Sequence, residues 1–257
     1  MSFRTGLVSI TFRRLSPREI VDLVAQGGLQ EIEWGGDIHV PAGDLARAKE
    51  VRRMTADAGL TTAAYGSYYR LGQEEGPDIH TVLETAYELR APTVRIWAGN
   101  RASADADQAY RDRIAKEALE AAERASNFGG LTISLEYHAG TLTDTTESAT
   151  NLLLAAPHKY LHTLWQPPNG QDAAYCEAGL RSVMPRLSNI HAFHWWPTNA
   201  TRHPLDAGWE RWKPYFEIVR AAGKSPTVLL EFVKGDEPAQ FLEDAATLKS
   251  WVAGAGE

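Results

Sequence analysis

The sequence predicts an α/β protein of the (β/α)8 class, a single TIM barrel, and three observations carry that reading. Short β-rich runs recur eight times, each is followed by a longer stretch with helical spacing, and the first turn lacks a phosphate-cradling glycine loop. The runs are Leu7–Phe12, Leu29–Trp34, Leu60–Tyr65, Thr93–Trp97, Leu131–Glu136, Leu161–Trp165, Asn189–His194 and Thr227–Glu231. Parallel neighbours need a crossover, usually a helix, so strands alternating with helices imply a parallel sheet. An open doubly wound sheet would carry a glycine fingerprint between its first strand and first helix. Here that turn reads Thr11-Phe12-Arg13-Arg14-Leu15-Ser16, and eight strands rather than five or six favour closure.

Helix punctuation agrees with the strand count. Ser16-Pro17-Arg18-Glu19 offers an N-cap, a proline at the first helical position and a glutamate to complete a capping box. Asp144-Thr145-Thr146-Glu147 repeats that logic after the fifth strand. Gly27, Gly28, Gly59, Gly129, Gly130 and Gly223 stand where helices should stop. With 257 residues, 44% hydrophobic, and no low-complexity linker, one domain over 1–257 is expected.

Charge and composition exclude several classes. A net charge of -7, from 26 Lys+Arg against 33 Asp+Glu, offers no broad cationic surface, so no nucleic-acid partner is expected. Arg4, Arg13 and Arg14 interrupt the opening stretch, which lacks an export signal. No run reaches the roughly 20 apolar residues of a membrane span, and the lone Cys176 excludes an intrachain disulfide framework. The expectation is a cytoplasmic protein with no membrane partner.

In such barrels the active site lies at the C-terminal ends of the strands. The fifth strand ends on Glu136 and the eighth on Glu231. A carboxylate ending a buried strand costs several kcal/mol unless paired, hydrogen-bonded or coordinated, and two at one rim repel unless a cation lies between. The seventh strand adds His191 and His194, and the sixth ends with Gln166 followed by Asn169. Carboxylate and amide oxygens with one imidazole suit a divalent metal ion such as Mn2+, Mg2+ or Zn2+. Of the two histidines, His194 is expected to be the ligand: their odd spacing puts them on opposite faces, and His194 is nearer the strand end.

The segments Gly35–Pro41, Glu136–Thr145 and Leu230–Phe232 resemble the xylose isomerase-like TIM barrels, a superfamily of sugar and sugar-phosphate isomerases and epimerases, inosose dehydratases and endonuclease IV-type enzymes. The resemblance spans nearly the whole chain. It implies a metal held by Glu136, Gln166, His194 and Glu231, with Mn2+ the leading ion and Mg2+, Zn2+ or Co2+ as alternatives. Two departures stand out: Gln166 occupies a position usually filled by aspartate, and Asn169 one often filled by histidine. The resemblance further implies proton transfer beside a carbonyl through an enediolate, with Glu136 and Glu231 as the catalytic acid and base. It also implies a small-molecule carbohydrate substrate and a homo-oligomer, dimer or tetramer.

Other residues have two readings each. Trp34 at the end of strand two stacks on a ligand, and His39 beyond it contacts substrate or is a solvated loop residue, while Glu33 is a site residue or a structural ion pair. Arg95 and Trp97 share one face of strand four: if that face is the lumen, Arg95 binds a phosphate or carboxylate of the substrate, and if not, it pairs with a helix acid. His138 orients Glu136 or touches substrate. Trp196 and Arg202 lie in a long loop that shapes the substrate site or makes a subunit contact. Trp209, Trp212, Tyr215 and Phe216 are helix packing, Cys176 is an inert apolar residue, and Tyr65, Tyr68 and Tyr69 are left open.

Isomerase or epimerase is the leading function. Alternatives are a lyase or dehydratase acting on a keto-sugar, keto-cyclitol or 3-keto glycoside, a non-catalytic sugar-binding relative, and an endonuclease IV-type nuclease. The last is disfavoured because the third strand ends Tyr65-Gly66-Ser67-Tyr68-Tyr69 with no histidine.

Overall fold

A computed structural model describes residues 3–254 of the chain. Eight strands, β1 (Arg4–Val8), β2 (Glu31–Gly35), β3 (Thr61–Arg70), β4 (Thr93–Trp97), β5 (Thr132–Leu135), β6 (Leu161–Trp165), β7 (Leu187–Ala192) and β8 (Thr227–Leu230), pair in chain order, and β8 returns to β1 to close the barrel. Every pairing is parallel. The crossovers are α1 (Pro17–Gly27), α2 (Leu45–Asp57), α3 (Ile79–Leu89), α4 (Gln108–Asn127), α5 (Thr146–Ala155), α6 (Ala173–Val183) and α7 (Trp209–Ala221), with α8 (Pro238–Ala253) completing the ring. The chain therefore forms the predicted (β/α)8 barrel.

Local chemistry starts α1 where the sequence indicates, whereas α5 starts one residue later than the Asp144–Glu147 pattern, because Asp144 accepts from the Ser103 N–H instead. Ser16 accepts from the Glu19 N–H while the Glu19 carboxylate accepts from the Ser16 N–H, so both halves of the capping box form. Thr145 caps α5, and Asp78, Asp107 and Asp172 cap α3, α4 and α6 in the same way. Gly28 ends α1 at φ 66°, a left-handed conformation that favours a residue without Cβ.

The main core lies between strands and helices. Ile32, Val94, Ile96, Ile133, Leu135, Ile190 and Val228 belong to it together with Ile20, Val24, Val51, Leu83, Ile114, Leu180 and Leu248 of the helices. Burying each such side chain contributes about 1.5–3 kcal/mol. The apolar part of the lumen is small by comparison, a separate cluster of Val8, Ile10, Ala63 and Leu229. Leu164 adds to it from β6, and the inward-facing Glu33, Arg95, Ser134, Glu136, His191 and Glu231 make much of the rest of the lumen polar, which makes room for a site at the cost of a weaker inner core.

Six of the eight strands depart from their expected bounds, and two of these departures, in β1 and β7, bear on the site. β1 covers Arg4–Val8, and Ser9–Phe12 form a 3-10 turn instead of continuing the strand. The Ser9 hydroxyl accepts from the Gly35 N–H at 2.9 Å, so a side chain takes the place of a ladder carbonyl where the backbone leaves the sheet. β7 begins at Leu187 and ends at Ala192, two residues earlier than Asn189–His194, so His191 lies within the strand and His194 beyond its end. No helix of the described residues is long and apolar enough to cross a membrane.

Candidate active site

Alternation along the strands fixes which side chains face inward. On β2 Glu33 points into the lumen while Trp34 points out, joins the helix-side core and is fully buried. On β4 Arg95 and Trp97 face inward. Ser134 pairs in register with Arg95, so two residues further on Glu136 follows it inward from the end of β5. His191 pairs in register with Leu229 of the inner cluster, and Glu231 follows two residues beyond. Glu33, Arg95, Glu136, His191 and Glu231 thus converge near the C-terminal ends of the strands, all buried.

Their hydrogen bonds form one chain. Arg95 donates from Nε to Glu33 Oε1 at 2.8 Å and from Nη1 to Glu136 Oε2. Trp97 Nε1 donates to the same Glu136 oxygen at 2.5 Å. The other Glu33 oxygen lies 3.0 Å from His191 Nε2. His191 Nδ1, facing the opposite way, is 3.6 Å from Glu231 Oε2. Gly66 on β3 leaves the space this requires: a Cβ there would lie 2.5 Å from Arg95 Nη2 and 2.9 Å from Glu33 Oε1.

Electrostatics follow from this geometry. Burial alone would raise the Glu33 carboxyl, yet His191 and Arg95 outweigh it and hold it down to about 2. Burial alone would lower the His191 imidazole, but the Glu33 and Glu231 carboxylates outweigh it and push it up to about 10. Three buried carboxylates thus share one guanidinium and one imidazole, which leaves the cluster anionic.

The residues fit a divalent cation. Glu136, His191 and Glu231 each offer a ligand atom, and these atoms lie within 4.8 Å of one another. His191 Nδ1 and Gln166 Oε1 are buried and have no hydrogen-bond partner among the described residues, an arrangement that costs about 1–3 kcal/mol per group unless something else engages them. In a neutral His191 the ionised Glu33 keeps the proton on Nε2, so the Nδ1 lone pair is free to ligate. Two carboxylates and an imidazole suit Mn2+, Mg2+ or Zn2+.

Four expected site residues lie elsewhere. His194, expected as the ligand, falls beyond the end of β7; its Nδ1 bonds Pro204 O at 3.2 Å, and its ring packs on Gly208 and lies 5.0 Å from His203. The imidazole beside the two glutamates is His191. Trp34 is turned away from the mouth by the alternation that brings Glu33 in. His39 is buried with Nδ1 against Ser9 Oγ at 2.9 Å, its basicity lowered by burial. Trp196 is exposed under the Arg211 guanidinium, 4.4 Å from its ring centroid, and the ring that reaches the cavity is Trp195.

The remaining expected residues line a cavity of about 530 Å³ above the cluster. Arg95 lies at its base, held by acids of the protein itself. Trp97 forms a wall, with the Arg70 guanidinium 3.8 Å over its ring. The His138 ring lies 5.0 Å from Trp97. Gln166 donates its amide N–H to Tyr137 O at 2.7 Å, which turns Oε1 the other way. Asn169 stands exposed at the rim, and Arg202 grips Asp236 through both carboxylate oxygens. Sequence reasoning did not single out Phe232 or Phe193, and it left Tyr68 open; all three line the cavity. An acid between Ile32 and Trp34 in a strand-like run was the available signal for the Glu33–Arg95 link.

The model of the xylose isomerase-like TIM barrel family matches residues 21–251. The chain belongs to that family. No protein with a curated description matches its sequence. Among solved structures it is similar to the probable 3-DHS dehydratase AsbF of Bacillus anthracis, at 18% identity and TM-score 0.76, over 96% of this chain and 98% of that one. It is also similar to an L-ribulose 3-epimerase at 16% identity and TM-score 0.73, over 98% and 95%. A third similar structure is a xylose isomerase-like TIM barrel protein of Mycobacterium smegmatis in complex with magnesium, at 15% identity and TM-score 0.71, over 99% and 97%.

Proposed function

We propose that this barrel is a metal-dependent isomerase or epimerase that moves a proton beside the carbonyl of a small carbohydrate. The observation that carries the reading is the convergence of Glu136, His191 and Glu231 ligand atoms within 4.8 Å at the base of a polar, aromatic-walled cavity. Glu136, His191 and Glu231 would hold the ion, with Gln166 Oε1 as a fourth donor. A divalent cation there supplies positive charge beside adjacent carbonyl and hydroxyl oxygens of a sugar and so acidifies the C–H between them.

The protein's own groups divide the remaining work. Glu136 is fixed through Oε2 by Arg95 and Trp97, so it stays in place while charge shifts nearby. Glu231 has no such clamp, which leaves its carboxylate to take a proton from one carbon and return it to the same or the neighbouring carbon. Tyr68, Trp97 and Phe232 offer ring faces to the C–H side of a sugar and keep water off the reacting carbon. The similarity in fold to an L-ribulose 3-epimerase and the membership of a family of isomerase-like barrels support this reading.

Elimination is the second reading, and Gln166 favours it. An amide in place of a carboxylate leaves the donor set with one negative charge fewer, a departure from the usual isomerase site, and a probable dehydratase shares the fold. The deciding experiment incubates Mn2+-loaded protein with ketoses and keto-sugars in D2O and follows proton NMR. Solvent deuterium entering beside the carbonyl without loss of a group is the expected result; a new enone signal selects elimination. No exchange and no turnover across the panel by metal-loaded protein would overturn both.

A further inference from the structure

The cavity over the cluster has a neighbour. A second cavity, of about 430 Å³, lies between the β1–α1 and β8–α8 connections, lined among others by Thr11, Arg13, Arg14, Asp236 and Glu237. Ile10 and Phe232 line both cavities, so the two meet across these side chains. Each alone falls within the range of about 300–1,000 Å³ that ligand sites occupy.

Phe232 is held at this junction against its own backbone preference. Its φ is 45°, in the left-handed region, where a bulky non-glycine residue is strained by about 1–3 kcal/mol. Two bonds keep it there: its N–H donates to Thr11 Oγ1 at 2.9 Å, and its carbonyl accepts from Trp195 Nε1 at 3.1 Å. Tyr68, on the wall of the first cavity, is likewise left-handed at φ 61°. Strain of this kind persists where the surrounding structure fixes it, and here it fixes a ring on the boundary between two chambers.

Charge narrows what the chambers accept. Arg95 is engaged by Glu33 and Glu136, Arg202 by Asp236, and Arg13 by Asp37. Glu136, Glu231 and Asp144 add negative charge to the first cavity. In the second, Arg14 is the cation with no ion pair among the described residues, and Glu237 lines the same space. The arginines lining the first chamber are thus all ion-paired, and in the second Asp236 and Glu237 balance Arg13 and Arg14, so uncharged hydroxyl groups, which can bond acids and guanidinium alike, suit both better than a phosphate dianion.

We propose that the second cavity is a subsite for the second, uncharged unit of a two-ring substrate, a glycoside whose reacting sugar occupies the first cavity. The inference rests on the carbohydrate reading given above. Ile10 and Phe232 contact the linkage between the two units, and Arg14 and Glu237 hydrogen-bond the outer one.

Calorimetric titration of the Mn2+-loaded protein with glucose, fructose, fructose 6-phosphate, sucrose, cellobiose and maltose tests it. At least one disaccharide is expected to bind roughly tenfold tighter than either monosaccharide, a gain of about 1.4 kcal/mol. In the double variant Arg14→Ala with Glu237→Ala, the ratio of disaccharide to monosaccharide affinity should fall to within about twofold of unity. Monosaccharide binding with no gain for any disaccharide, or tightest binding of fructose 6-phosphate, overturns the subsite and leaves the carbohydrate reading intact. A metal-loaded protein that binds none of the sugars overturns both.

Discussion

His191 Nε2 lies 3.0 Å from Glu33 Oε2 inside the barrel, and neither side chain reaches solvent. The pair links the imidazole to Arg95, because the other Glu33 oxygen accepts from Arg95 Nε, and Arg95 in turn binds Glu136. One acid on β2 therefore orients groups contributed by β4, β5 and β7. A buried chain of this kind is rigid when complete and expensive when broken, since removing one member strands a charge without a partner.

Glu33→Gln tests that linkage. The amide keeps the shape but carries no charge, and its one oxygen can accept from only one of Arg95 and His191 while its NH2 faces the other donor. Mn2+ affinity should fall by roughly 10–100-fold, the effect expected from losing a partner that orients a metal ligand. Dialysis followed by metal analysis reads it, with circular dichroism confirming the fold. An affinity equal to the parent's would show that Glu33 only balances charge.

The two histidines of the seventh strand separate cleanly. His191→Ala should abolish retention of Mn2+ through dialysis, while His194→Ala, whose ring sits between Pro204 and Gly208, should retain it and lose only packing. The reverse pattern would restore the sequence-based choice and remove the cluster as the metal centre.

The geometry favours His191 over His194 for a reason that is not local in the sequence. Capping at Ser16, the eight β-rich runs and the acids ending the fifth and eighth of them are local features, and the bounds Thr93–Trp97 and Leu161–Trp165 match the sequence reading residue for residue. Register is not local. His191 pairs with Leu229 and so shares its inward face, while β7 ends at Ala192, two residues before His194. The same limit hid the role of Arg95: its sharing a face with Trp97 followed from alternation, but that this face is the lumen, and that its partners come from β2 and β5, are set by barrel closure.

Acid and alkali should each weaken the metal-free protein through this cluster. Glu33, lowered from 4.5 to about 2, stabilises the fold above pH 4.5 and loses that contribution as pH falls toward 2. His191, raised from 6.5 to about 10, contributes fully below pH 6.5 and loses its contribution as pH rises toward 10. Ligation needs the neutral imidazole, so the rise in Tm produced by Mn2+ should be larger at about pH 8 than at about pH 6. Scanning calorimetry with and without the ion checks both parts; a metal effect independent of pH would place the ion away from His191.

Asp244 on α8 gives a prediction remote from the site. Its carboxylate is buried and accepts from Leu205 N at 2.9 Å and from Gln240 Nε2 at 2.9 Å, tying α8 to the turn that precedes α7. Burial raises its pKa to about 6; the bonds from Leu205 and Gln240 pull the other way, while Asp206 and Glu243 add repulsion. An acid raised in the folded state holds its proton more tightly there, so the fold loses stability as pH climbs from 3.8 through 6. Asp244→Asn keeps an oxygen for the Leu205 N–H without the buried charge. Its Tm should exceed the parent's above about pH 6, and the gap should close as pH falls toward about 4, where the parent carboxyl is neutral as well. A variant less stable than the parent across the whole range would mean that the charge strengthens the Leu205 bond by more than its burial costs.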